Sequence, residues 1–188
     1  MSPIEQLISN FQELVAQVPG IVQPFIVMLA AAVPFLEGEV GAMVGIVGGL
    51  NPVVAAVAAV VGNFLSVALV VMFTGRARTA VVDRVRVKAT VGGPAPDVHA
   101  VDGFAAPASA EPMSKGRRRV VTWLNRFGVP GASILGPLAI PTQFTAAVLV
   151  ASGSPRRWVL LWQAVAIVLW TTVLTVTLWL ALTHVVGV

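Results

Sequence analysis

The chain has 188 residues, 57% of them hydrophobic and 11% charged, with a mean hydropathy of +0.89. Soluble domains carry roughly 25% charged residues, so this is the composition of a membrane protein, and water could not be kept from so much apolar surface in a chain this short. Cysteine is absent, which excludes disulfides, a thiolate nucleophile and a Cys-ligated metal, and the net charge of +4 is not read as nucleic-acid binding because every Lys and Arg lies between Arg76 and Arg157, the pattern of basic loops beside membrane spans.

Residues 2–18 place Ile4, Leu7, Ile8, Phe11, Leu14, Val15 and Val18 at helical spacing, with Ser2 in a capping position and Pro3 at the first helical position. Glu5 and Glu13 fall off that stripe. The pattern predicts an amphipathic helix lying at the membrane surface. Residues 21–36 are then apolar apart from Gln23 and Pro24. Pro34, Glu37, Gly38 and Glu39 interrupt, and residues 40–50 resume the apolar run with many glycines. A spanning helix needs roughly 20 residues, which neither piece reaches. Residues 21–50 are therefore expected to form a re-entrant hairpin, broken at Pro34 and Gly38 and covered by protein or a water-filled cavity.

Residues 53–74 make one uninterrupted apolar span. Ala58, Gly62 and Ser66 recur every four residues, as do Ala55, Ala59 and Asn63, a small-residue face suited to close helix packing. Residues 75–119 are the one polar segment. It opens with Arg76, Arg78, Arg84, Arg86 and Lys88 and closes with Lys115, Arg117, Arg118 and Arg119. Its Pro/Gly/Ala-rich middle reads as a flexible loop, and the arginine triplet is expected to touch anionic lipid headgroups. His99, near Asp97 and Asp102, is read as part of that solvated loop and not as a metal site. Residues 120–153 lead back in past Trp123 and Arg126 and form a second hairpin, broken at Pro137 and Pro141. Residues 158–183 are the last span, with Trp158, Trp162, Trp170 and Trp179 as anchoring and packing residues.

The window PFLEGEVGAMVGIVGGLNP, from Pro34 to Pro52, parallels PLAIPTQFTAAVLVASGSP, from Pro137 to Pro155. Each starts at Pro, meets a polar knot, runs apolar, turns through Gly and enters a span. Paired Gly/Pro-interrupted segments of this kind point to transporter sites built from inverted repeats. If each broken segment returns to its own side, every Lys and Arg falls in the cytoplasm, both termini lie outside, and the two tips meet near the midplane. A full crossing by residues 129–153 would instead put Arg156 and Arg157 outside, against the positive-inside rule.

Pro34–Glu37, Gly62–Asn63, and Arg126-Phe127-Gly128 with Pro137 and Pro141 resemble motifs of the bacterial small multidrug export protein family. The similarity covers roughly residues 25–75 and 120–180. That family is similar in layout to the wider DedA/VTT membrane proteins, which are linked to polyprenyl-phosphate and phospholipid movement. The resemblance implies an all-α integral membrane protein of the bacterial cell membrane that exports drug-like or lipid-linked solutes. Positions 127–155 here hold no charge, where the fuller DedA-type proteins usually carry a basic residue.

The fold expected is thus all-α: two inverted repeats, each a re-entrant helical hairpin followed by a transmembrane helix, behind an N-terminal amphipathic helix, in a single membrane domain. Glu37 and Glu39 are the leading site residues, since acids at membrane depth are costly and burial raises their affinity for protons. They either exchange protons or sit hydrated at the outer mouth. Thr142, Gln143 and Thr145 are expected to face them, binding substrate or satisfying backbone groups freed by the prolines. Asn63 joins the site or bonds a neighbouring helix, and Gln163 is a lesser candidate. The expected function is secondary, proton-coupled transport of an amphipathic, drug-like or lipid-linked solute. The alternative is a non-transporting scaffold or a subunit of a larger membrane complex. No catalytic constellation, cofactor or metal site is expected. Membrane lipids are expected partners, and a homodimer would help shield the broken backbone from lipid.

Overall fold

The computed structural model describes residues 3–90 and 128–186, with side chains placed except at residues 16, 81–90 and 185–186. The described residues form helices joined by short turns, with no strand among them. Ser2, His99, Arg117, Arg118, Arg119, Trp123 and Arg126, and with them the headgroup contacts expected of the arginine triplet, lie outside the described residues. The chain divides into two compact units, Met1–Val67 with Ala164–Val188, and Ala68–Gln163. The two long helices each contribute to both.

The first unit begins with α1 (Pro3–Gln17), which packs against α2 (Gln23–Ala32) and α3 (Glu37–Val47). Its apolar stripe divides between two surfaces. Ile8, Phe11, Val15 and Val18 join the core, while Ile4, Leu7 and Leu14 remain exposed. Gln23 ties the elements together by donating from Nε2 to the Val15 carbonyl at 3.0 Å.

Helices α2 and α3 form an antiparallel pair. A methyl group added at Gly41 would lie 2.7 Å from Ala31 Cβ, and one at Gly45 2.9 Å from a Val27 methyl. At about 1.5 Å per residue, helices of 10 and 11 residues each cover only half of a ~30 Å hydrocarbon core. Val33 takes the extended backbone (ψ 127°) that a residue preceding proline prefers, and this ends α2 at Pro34. The Ala32 carbonyl at that broken end accepts from Ser66 Oγ at 2.9 Å. Gly38 lies inside α3, one residue past its start, and not at the break as expected. The chain reverses at Pro34–Leu36, and the left-handed residues there are Phe35 (φ 74°) and Glu37 (φ 53°).

Helix α4 runs from Pro52 to Thr90. Asn51 caps it, its Oδ1 accepting from the Val53 N–H at 2.9 Å, with Pro52 at the first helical position. The helix does not stop at 74, where a flexible loop was expected to begin. Residues 76–90 contain no Gly or Pro and are rich in Arg, Val and Ala, so no breaker interrupts the helical hydrogen bonds before Gly92. The small-residue face packs as its spacing predicts. Ala55, Ala58, Ala59 and Asn63 are buried, and Gly62 lies directly against the Met28 backbone of α2.

In the second unit, a helix over residues 128–135 (α5) passes through a 3-10 turn, Gly136–Leu138, and a break at 139–141 into α6 (Thr142–Ala151). The chain folds back so that Gly136 sits against Thr145. Helix α7 (Arg156–Ala181) follows and ends in a π turn, Leu182–Val186. The expected breaks at Pro137 and Pro141 therefore fall where the helix is interrupted. Trp158 and Trp162 pair edge to face, with centroids 5.8 Å apart.

The two hairpins carry matching hydrogen bonds. At the tips, Leu36 and Glu37 both donate to the Val33 carbonyl, and Ala139 and Ile140 both donate to that of Gly136. After the return arms, Gly49 donates to Ile46 and Leu50 to Gly45, as Gly153 does to Val150 and Ser154 to Leu149. This is the Schellman turn, whose left-handed position falls on Gly49 (φ 91°) and Gly153 (φ 100°).

Candidate functional site

Two helices, spanning Pro52–Ala80 and Arg156–His184, are long and apolar enough to cross a membrane. Only 33% and 22% of their most apolar stretches are buried. What each buries is unlike a soluble core. Along α7 the buried face runs Val159, Gln163, Ala166, Ile167, Thr171 and Thr175, while Leu161, Val165, Val168, Leu169, Val173, Leu174 and Leu180 point outward. Along α4 the interior holds alanines, Gly62, Asn63, Val67 and Val71, and the outside holds Val53, Val57, Val61, Leu65, Leu69 and Phe73. Most of the large apolar groups lie outside, and the buried faces mix small, polar and a few aliphatic side chains.

The acid expected at the first hairpin tip is Glu37, only 7% exposed and at the first position of α3. Its left-handed backbone is uncommon for a side chain of this size and costs of order 1–3 kcal/mol. Glu39 is half-buried. Asn63, 1% exposed, belongs to the same unit.

Thr171 completes this region and was not anticipated. A methyl group at Gly38 would overlap the Thr171 hydroxyl, so the last helix lies against the backbone between the two acids. Thr171 is fully buried, and its hydroxyl has no hydrogen-bond partner among the described residues. Thr175, one turn on, is in the same condition. Their four-residue spacing in an apolar span was the available signal. Gly38→Ala should cost about 1–3 kcal/mol by overpacking. Thr171→Ala leaves only Thr171 Cβ, 3.5 Å from the added methyl, so it should recover most of that loss. Thermal unfolding of both single variants and the double variant in detergent reads the coupling.

In the second unit, Thr142, Gln143 and Thr145 gather on the first turn of α6, all at most 3% exposed. Thr142 Oγ1 donates to Gln143 Oε1 at 3.4 Å. Thr145 Oγ1 donates to the Pro141 carbonyl at 3.3 Å. Gln163 is fully buried, and neither its amide oxygen nor its nitrogen has a partner among the described residues. Arg156 Nη2 donates to Thr79 Oγ1 at 3.3 Å, and Arg78 lies beside Gly153. The basic end of the α4 span thus meets the start of α7. Among the described residues no group of His, Asp and Glu is placed to hold a metal.

Set against family models, curated proteins and solved structures, the chain matches none of them.

Proposed function

We propose that the chain is a secondary carrier of the bacterial cell membrane, exchanging protons at Glu37 while it moves an amphipathic, drug-like or lipid-linked solute. The observation that carries this reading is a carboxylate, 7% exposed, at a strained break between two short helices in a strongly apolar chain. An acid at membrane depth costs at least about 2 kcal/mol if ionised, which makes it a functional group by default. The outward-facing apolar side chains of α4 and α7 support the membrane setting. The matching tip and return-turn hydrogen bonds support two repeats of one re-entrant unit, as does the resemblance to the small multidrug export family.

The contact of Arg156 with Thr79 supports the topology in which the second hairpin returns to its own side. That keeps Arg76, Arg78, Arg156 and Arg157 together on the cytoplasmic face. Single cysteines test it in right-side-out vesicles. A membrane-impermeant maleimide should label Gly20→Cys, an exposed site with nothing within 4 Å, and not Arg157→Cys. Labelling of Arg157→Cys from outside would overturn the topology. For transport itself, proteoliposomes enclosing DNA should accumulate ethidium under an imposed pH gradient, with luminal pyranine reporting the countermoving protons. Uptake no faster than in empty liposomes would refute the carrier reading for this drug class.

A further inference from the structure

The second unit gathers arginines at one point. Arg156, the first residue of α7, reaches across to α4, where it bonds Thr79. It can lie there because residue 75 is glycine: a methyl group at Gly75 would overlap the Arg156 guanidinium. In the opposite direction, Arg78 of α4 reaches the left-handed turn before α7, where a methyl group at Gly153 would lie 3.1 Å from Arg78 Nη2. Two guanidiniums thus meet at one helix junction, each seated against a glycine on the far side. Arg76 and Arg157 stand exposed beside them in the sequence. Residues 68–90 and 128–163 hold seven basic side chains and a single acid, Asp83, so the junction keeps a large positive excess. Like charges gathered in this way favour an anion among them, and the guanidinium fork matches the oxygens of a phosphate.

The neighbouring surface says which anion. Leu69, Met72, Phe73 and Arg76 fall at i, i+3, i+4 and i+7 on one face of α4, and all four are exposed. On α7 the exposed Trp158 follows Arg157 directly. An apolar strip that ends in guanidiniums, at the end of a helix long enough to cross a membrane, has the polarity of a lipid: acyl chain first, then phosphate. We propose that this junction binds an anionic phospholipid, its phosphate held by the arginines of α4 and α7 and an acyl chain laid along Leu69, Met72 and Phe73. The lipid is a fixed ligand that bridges the start of α7 to α4 and is not cargo, so the site stands apart from the carrier reading.

Native mass spectrometry tests this on the full chain, released from detergent with equal concentrations of phosphatidylglycerol and phosphatidylcholine. Phosphatidylglycerol should be retained at least about tenfold better. Arg76→Gln, at an exposed position, should weaken its retention roughly fivefold, and Arg76→Gln with Arg157→Gln about 25-fold. Lys88→Gln with Lys115→Gln removes as much charge from elsewhere in the sequence and should change retention less than about twofold. Arg156→Lys keeps the charge but loses the fork, and should fall between wild type and the arginine double variant. Equal retention of the two lipids, or an equal loss in the lysine control, would overturn the site. Displacement of the lipid by inorganic phosphate alone would overturn it too, in favour of a free-anion site. Should Arg156→Lys fail to fold, the variants at the exposed Arg76 and Arg157 decide the matter.

Discussion

Glu37→Gln is expected to lower pH-gradient-driven ethidium uptake by roughly 10²-fold, the low end of what a positioned proton-transfer group contributes. Gln keeps the size and hydrogen-bonding capacity of the acid but cannot exchange a proton, so protein yield and thermal stability should change little. Glu37 is 7% exposed and Glu39 half-buried, so Glu39→Gln should act more weakly. The backbone provides a second check. Gly accepts φ 53° without steric cost, so Glu37→Gly should relieve local strain even as it abolishes coupled uptake. Uptake of wild-type magnitude in Glu37→Gln would remove the proton-carrying role. A Glu37→Gln protein that fails to fold would instead assign the carboxylate a structural one.

Gly62→Val is expected to have the largest structural effect, about 3 kcal/mol or more, because overpacking here meets backbone. A methyl group at Gly62 would overlap the Met28 carbonyl oxygen and lie 2.6 Å from Met28 Cα and 2.7 Å from its carbonyl carbon. A side chain can rotate out of the way, but a helix backbone cannot. Helices α2 and α4 would have to part, opening the packing at Ala55, Ala58 and Ala59 and stretching the Ser66–Ala32 hydrogen bond of 2.9 Å. That bond covers a carbonyl freed by the Pro34 break, so its loss leaves a bare polar group in an apolar setting. Gly62→Ala should act in the same direction with a smaller loss. Gly20→Ala, with nothing within 4 Å, is the neutral control. Size-exclusion profiles and thermal unfolding in detergent read both.

Much of the fold was legible in one dimension because apolar helices declare themselves locally. Length separated the two long spans from the short pieces, and prolines marked where backbone donors disappear. Glycine at the end of each apolar return arm marked both return turns, since one residue there must be left-handed. The four-residue spacing of small side chains showed the face of α4 that meets α2. The same local logic failed at residues 75–90. Basic composition suggested a loop, but a run of helix formers without a breaker simply prolongs the preceding helix.

By itself, then, the sequence determined that the chain is an apolar, all-helical protein with two long helices and two interrupted segments, and that Glu37 and Glu39 are its costly residues. Only the tertiary structure decided which of them is buried. It also decided that Gly38 is a point of close approach inside α3, and that Thr171 is what lies against it. The reason is that breaks and spans follow from bonds between near neighbours in the chain. Burial and contact depend on what lies across from a residue, and Thr171 comes from a helix more than a hundred positions away from Gly38.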